Sequence, residues 1–111
     1  GNAYSFDQTD LAKYYGLYMD LMQFWGGLFP DKIYEVNYEH LTIKQKSETQ
    51  KLLKYCDLDW DDNCLNFHAN KTAIKTTSSM QVRQKMYQGS SEAWKQYEDY
   101  LQPLIKGLSQ N

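Results

Sequence analysis

Apolar side chains recur at three- and four-residue spacing from Asp10 through Phe29: Leu11, Tyr14 and Tyr15, Tyr18, Leu21 and Met22, Trp25, then Leu28 and Phe29. That spacing lays an apolar stripe along an amphipathic α-helix. Thr9 or Asp10 is placed to cap its start, Gly26-Gly27 loosens its last turn, and Pro30 ends it. The period then shortens. Lys32 to Tyr38 alternates and is rich in β-branched and aromatic residues, which predicts one short strand, the only one in the chain. A lone strand leaves its backbone N–H and C=O groups unpaired, so it must pair with another copy or with sheet neighbours that these residues do not supply.

Helical spacing returns from Ile43 to Tyr55, with Leu52, Leu53 and Cys56 facing inward and Thr42 and Gln45 set as a capping box. Asp61 or Asp62 caps a short helix around Cys64 to Phe67, which packs Leu65 and Phe67. A stretch without periodicity follows. Ser90 or Ser91 then opens a last helix carrying Trp94, Tyr97, Leu101, Leu104, Ile105 and Leu108 on one side, with Pro103 starting a new turn or bending it. The expected fold class is therefore mostly α with one short β-strand, in one domain over residues 1–111. No internal repeat or low-complexity tract interrupts it, and Gly1 reads as a tag-cleavage scar.

Composition changes this picture little. At 41% hydrophobic residues, with 10 Tyr, 4 Phe and 3 Trp, there is ample material for a core. No run approaches the length of a membrane span, so no membrane partner is expected. Cys56 and Cys64 lie eight positions apart with no His or Cys at metal-ligand spacing, which predicts buried free thiols, no metal and a cytoplasmic protein. Asn70-Lys71-Thr72 has the form of a glycosylation sequon and is read as chance.

Charge is more informative. The net charge is −2, yet Ala69 to Ser91 contains no Asp or Glu while holding Lys71, Lys75, Arg83 and Lys85. The same stretch carries Thr72, Thr76, Thr77, Ser78, Ser79, Ser90 and Ser91. A basic, hydroxyl-rich and acid-free loop in an acidic chain suits an oxyanion, because hydroxyl and amide hydrogens donate to its oxygens in a field of the right sign. A solvated polar loop fits the charge pattern equally well. Nucleic-acid binding through Lys71 to Lys85 with Tyr87 as a stacking platform fits poorly, with four basic residues against an acidic remainder.

The landmarks in order are Tyr4-Ser5-Phe6-Asp7, Tyr14-Tyr15, Leu21-Met22, Trp25 and Pro30, then Val36-Asn37-Tyr38-Glu39-His40-Leu41, Leu58-Asp59-Trp60 and Cys64-Leu65-Asn66-Phe67-His68. Thr76-Thr77-Ser78-Ser79-Met80-Gln81-Val82-Arg83, Trp94, Tyr97 and Leu101-Gln102-Pro103-Leu104 complete the series. Over nearly the whole chain this resembles the carboxyl-terminal end of bacterial sulfotransferases that often follow tetratricopeptide repeats and are related to the tyrosylprotein sulfotransferases. The Tyr-Glu-x-Leu and Ser-x-x-Gln-Val-Arg elements are its most specific parts.

The resemblance implies a fragment of a P-loop-like α/β fold that transfers a sulfonate group from 3′-phosphoadenosine 5′-phosphosulfate to an acceptor hydroxyl. It implies donor contacts from Tyr38, Ser78, Gln81, Val82 and Arg83 and from the run to Tyr87, including Lys85. It also implies that Ser78 stabilises the transition state. Two departures stand out. Ala93 occupies the place of a basic residue before Trp94, and Lys95 lies about 100° away on a helix. The run from Arg83 to Lys85 lacks the proline that often follows the basic position. The glycine-rich phosphosulfate loop, the Arg and Ser for the 3′-phosphate and the general base have no counterpart here, and His40 and His68 read as structural. By itself the chain is expected to be an inactive segment; the alternative is a non-catalytic helical module. Self-association through the lone strand or the aromatic faces is expected in either case.

Overall fold

The computed structural model describes residues 3–110, and Gly1 lies outside them. The chain divides into two compact units, one of residues up to Ile33 together with Glu92 onward, the other Tyr34–Ser91.

In the first unit a single 3₁₀ turn, Ala3–Phe6, precedes helix α1, Gln8–Leu28. Asp7 is the cap, not Thr9 or Asp10: its carboxylate accepts from the Asp10 N–H at 2.9 Å. The helix stops at Phe29 before Pro30, as the sequence pattern predicts. At the other end of the chain, Ser90–Leu101 winds as a 3₁₀ helix and gives way to an α-helix over Gln102–Leu108.

That last helix has no side-chain cap of its own. The amide of Gln8 supplies one from α1, donating to the Tyr100 carbonyl at 2.7 Å and accepting from the Leu104 N–H at 3.2 Å. Alongside, Gly107 lies against buried Ala12, so close that a β-carbon on Gly107 would sit 2.5 Å from the Ala12 methyl.

The second unit corrects the fold class. Lys32 to Tyr38 is not a strand, and the described residues contain no strand or sheet, so neither the β-strand nor the P-loop-like α/β fold is present. The physical reason is visible locally. Residues 33–37 join no ladder, and the Asn37 side chain accepts from the His40 N–H at 2.9 Å, capping a helix that takes Tyr38 as its first residue. We label this helix α2, Tyr38–Ile43, and the next α3, Gln45–Tyr55. The mostly helical expectation holds.

The Thr42/Gln45 capping box does not form either. Thr42 is buried within α2, its hydroxyl donating to the Glu39 carbonyl at 2.8 Å. Helix α3 ends in a Schellman turn: Leu58 N–H donates to the Leu53 carbonyl, Asp57 N–H to that of Lys54, and Asp57 takes φ 56°. Tyr34 packs its ring 4.8 Å from that of Tyr55. A 3₁₀ segment, Asp62–Ala69, follows, capped by Asp61 as expected, and packs on α3. Both cysteines are free, Cys56 exposed and Cys64 half-buried.

Candidate functional site

Within the second unit, the acid-free stretch folds back on itself. Asn70 opens it with an Asx turn, its side-chain oxygen accepting from the Thr72 N–H at 2.8 Å. A turn from Thr76 to Ser79 and a short 3₁₀ helix, Gln81–Arg83, follow, with Val82 N–H donating to the Ser78 carbonyl at 3.1 Å. At the exit, Gln88 donates through its amide to the carbonyl of buried Thr42 at 3.2 Å, tying the loop to α2. Gly89 then takes φ 97°, a conformation that glycine adopts without steric cost.

This path encloses an open cavity of about 380 Å³, within the size range of small-molecule sites. Tyr38, Phe67, Val82, Met86 and Tyr87 form its apolar and aromatic walls, and Ser78, Gln81, Gln84 and Lys85 its polar ones. Tyr38 stands there because Asn37 caps α2 immediately before it. Lys85 is the one charged side chain on the lining and no carboxylate joins it. The cavity therefore combines aromatic rings, hydroxyls, two amides and one ammonium, a donor-rich set for an anion attached to a flat apolar group. Among the described residues the Ser78 hydroxyl has no protein partner, so its O–H points to no competing acceptor.

Six of the seven residues singled out in the sequence meet at this cavity: Tyr38, Ser78, Gln81, Val82, Lys85 and Tyr87. Arg83 does not. Its guanidinium donates to the carbonyl of Asn70 at 2.7 Å and to that of Thr72 at 3.2 Å, closing the loop instead of lining the cavity. Phe67 was missed, and Gln84 and Met86 lie within the run without separate assignment. Phe67 stood in the sequence only as a packed residue of its short helix and as one landmark of the resemblance. His40 and His68 are both off the lining. His68 sets its ring edge-on to that of Phe67, at 5.8 Å between centroids. In the first unit, Lys95 pairs with Glu92, which accounts for the charge beside Ala93.

Among the described residues no cluster of three or more His, Cys, Asp or Glu side chains could hold a metal ion. No helix there is long and apolar enough to cross a membrane.

Residues 1–62 match a family model described as "Sulfotransferase family". An uncharacterized protein of Aquifex aeolicus (strain VF5) is 36% identical over 107 residues, a match that covers 96% of this chain and 14% of that protein. The chain thus spans about one-seventh of the length of the curated relative it matches. No solved structure matches significantly.

Proposed function

The chain belongs to the sulfotransferase family, and from that membership we propose that it is the carboxyl-terminal, donor-binding segment of an enzyme using 3′-phosphoadenosine 5′-phosphosulfate. One observation carries the reading: Tyr38 and the hydroxyl- and lysine-bearing run from Ser78 to Tyr87 line one cavity. The order of landmarks along the chain further supports kinship with the bacterial sulfotransferases that often follow tetratricopeptide repeats, and with the tyrosylprotein enzymes.

In the proposed reaction the bond between sulfur and the bridging phosphate oxygen breaks, a new sulfur–oxygen bond forms to the acceptor hydroxyl, and the acceptor proton passes to a base outside this segment. Negative charge grows on the leaving phosphate oxygen. A fixed hydroxyl donor such as Ser78 stabilises that charge, an effect worth about 3 kcal/mol per donor in comparable sites. Lys85 adds a positive field, while the rings of Tyr38 and Tyr87 offer faces for a nucleobase. Arg83 acts one step back, by holding the loop. The free thiols of Cys56 and Cys64 support a reducing, cytoplasmic setting.

Calorimetric titration of the chain with 3′-phosphoadenosine 5′-phosphate tests this reading. Binding is expected at micromolar to millimolar ligand and weakens when Lys85 is replaced by Ala. No heat at millimolar ligand from a folded chain overturns the donor-site assignment.

A further inference from the structure

Thr42 lies in the last turn of α2, where backbone carbonyls have no partner within their own helix. Gln88 supplies one from the far end of the basic loop, its Nε2 donating to the Thr42 carbonyl at 3.2 Å. Among the described residues no other hydrogen bond joins α2 to the stretch from Thr76 to Ser91. Both ends of this bond stand close in the chain to an aromatic residue of the cavity. On the helix, Thr42 is four positions after Tyr38 and so shares its face. On the loop, Gln88 directly follows Tyr87, and both tyrosines line the cavity. Gly89 then takes φ 97°, which lets the chain turn away immediately after the anchored residue. The helix end of the anchor is firm, because Thr42 is buried and the Asn37 cap fixes the start of α2. The rings themselves are not: Tyr38 is 52% and Tyr87 63% exposed, so packing alone does not hold them.

We infer that Gln88 is a positioning residue, whose bond to Thr42 sets the separation of Tyr38 and Tyr87 at which the cavity accepts a flat heteroaromatic base. The inference rests on the donor-site reading and goes one step further, to the part of the ligand that each residue serves. A base laid on an aromatic ring gains roughly five- to 100-fold in affinity, a gain that a ring free to swing away does not deliver. The phosphates depend on other residues. Ser78 lies within the loop that Arg83 closes, and Lys85 is two positions beyond that clamp. The hydroxyl and the ammonium therefore keep their places when the Gln88 bond is broken, and the two rings do not. Gln88 itself is off the cavity lining, so it acts on the ligand only through the tyrosines.

Calorimetric titration of the whole chain tests this with two probes: 3′-phosphoadenosine 5′-phosphate and its abasic analogue, in which hydrogen replaces adenine and both phosphates remain. The nucleotide should bind about tenfold more tightly than the analogue, toward the low end of one base–ring stack. Gln88→Ala should remove most of that difference. Nucleotide affinity should fall about fivefold or more while that of the analogue stays within about twofold, with helical circular dichroism unchanged. Gln88→Met, close in length but without an N–H, should behave as Gln88→Ala does. Lys85→Ala, by contrast, should weaken both ligands alike. Equal losses for both ligands in the Gln88 variants, or no loss, overturn the inference and leave the donor-site reading intact. A wild-type chain that binds both probes equally also overturns it, since there is then no base recognition for Gln88 to set. A wild-type chain that binds neither probe overturns the donor-site reading and this inference with it.

Discussion

The guanidinium of Arg83 donates to the backbone carbonyl of Asn70, thirteen residues earlier, at 2.7 Å. Its second arm reaches the Thr72 carbonyl at 3.2 Å, so one side chain fastens both ends of the basic loop. Two of the five N–H donors of the guanidinium are engaged with these carbonyls, which holds Arg83 to the loop and off the cavity lining.

Arg83→Ala should therefore open the loop. We expect a stability loss of about 1 kcal/mol in urea unfolding, moderated by the solvent exposure of these bonds. Hydrogen exchange at residues 70–73 should accelerate, and 3′-phosphoadenosine 5′-phosphate should bind more weakly. Arg83→Lys should rescue little, because a single ammonium cannot span two carbonyls as a planar fork does. Unchanged exchange in the Ala variant would refute the clamp.

Ser78→Ala should act on turnover and barely on nucleotide affinity. In a catalytically competent polypeptide carrying this segment, the turnover number should fall about 100-fold, the usual effect of deleting one donor to developing charge. Steady-state kinetics beside a direct binding measurement separates the two quantities. Equal turnover removes Ser78 from the chemistry.

Gly107→Ala should destabilise the first unit by about 1–3 kcal/mol, the usual cost of overpacking, because the new methyl would meet Ala12 at 2.5 Å. Ala12→Gly in the same chain should recover part of the loss. Thermal unfolding of the single and double variants reads both effects, and additive losses would argue against the contact.

Gln8→Ala should fray the start of the last helix. It removes the donor to the Tyr100 carbonyl and the acceptor for the Leu104 N–H, a loss of about 1–2 kcal/mol by analogy with helix caps. Gln8→Glu keeps the acceptor and loses the donor, so an intermediate effect is expected. Chemical denaturation checks the order of the three proteins.

Asp57→Gly should have the opposite sign. Asp57 holds φ 56° at the end of α3, a conformation that costs a residue with a β-carbon about 1 kcal/mol. Glycine removes that cost but gains freedom in the unfolded chain, leaving a net gain of about 0.5 kcal/mol. A lower urea midpoint for this variant would contradict the assignment.

Much of the helical framework was legible from periodicity alone. The apolar spacing over α1 and α3 and the proline after Phe29 marked elements whose hydrogen bonds are local. Boundaries were less so: Asp7, not Thr9 or Asp10, caps α1, since several adjacent polar residues offer equivalent acceptors. Six of the residues that line the cavity were legible together, from an acid-free run and a resemblance.

The amino-acid order by itself therefore determined that the chain is mainly helical and where its hydroxyl-rich, basic loop lies. Tertiary structure alone decided that Tyr38 begins a helix and not a strand, for a strand needs a neighbour and a cap needs only the Asn37 side chain. It also decided that Arg83 turns to Asn70 and that Gln8 completes a helix more than ninety residues away. The Arg83 and Gln8 contacts depend on which distant carbonyl or amide comes within about 3 Å, and that distance is set by packing and not by local spacing.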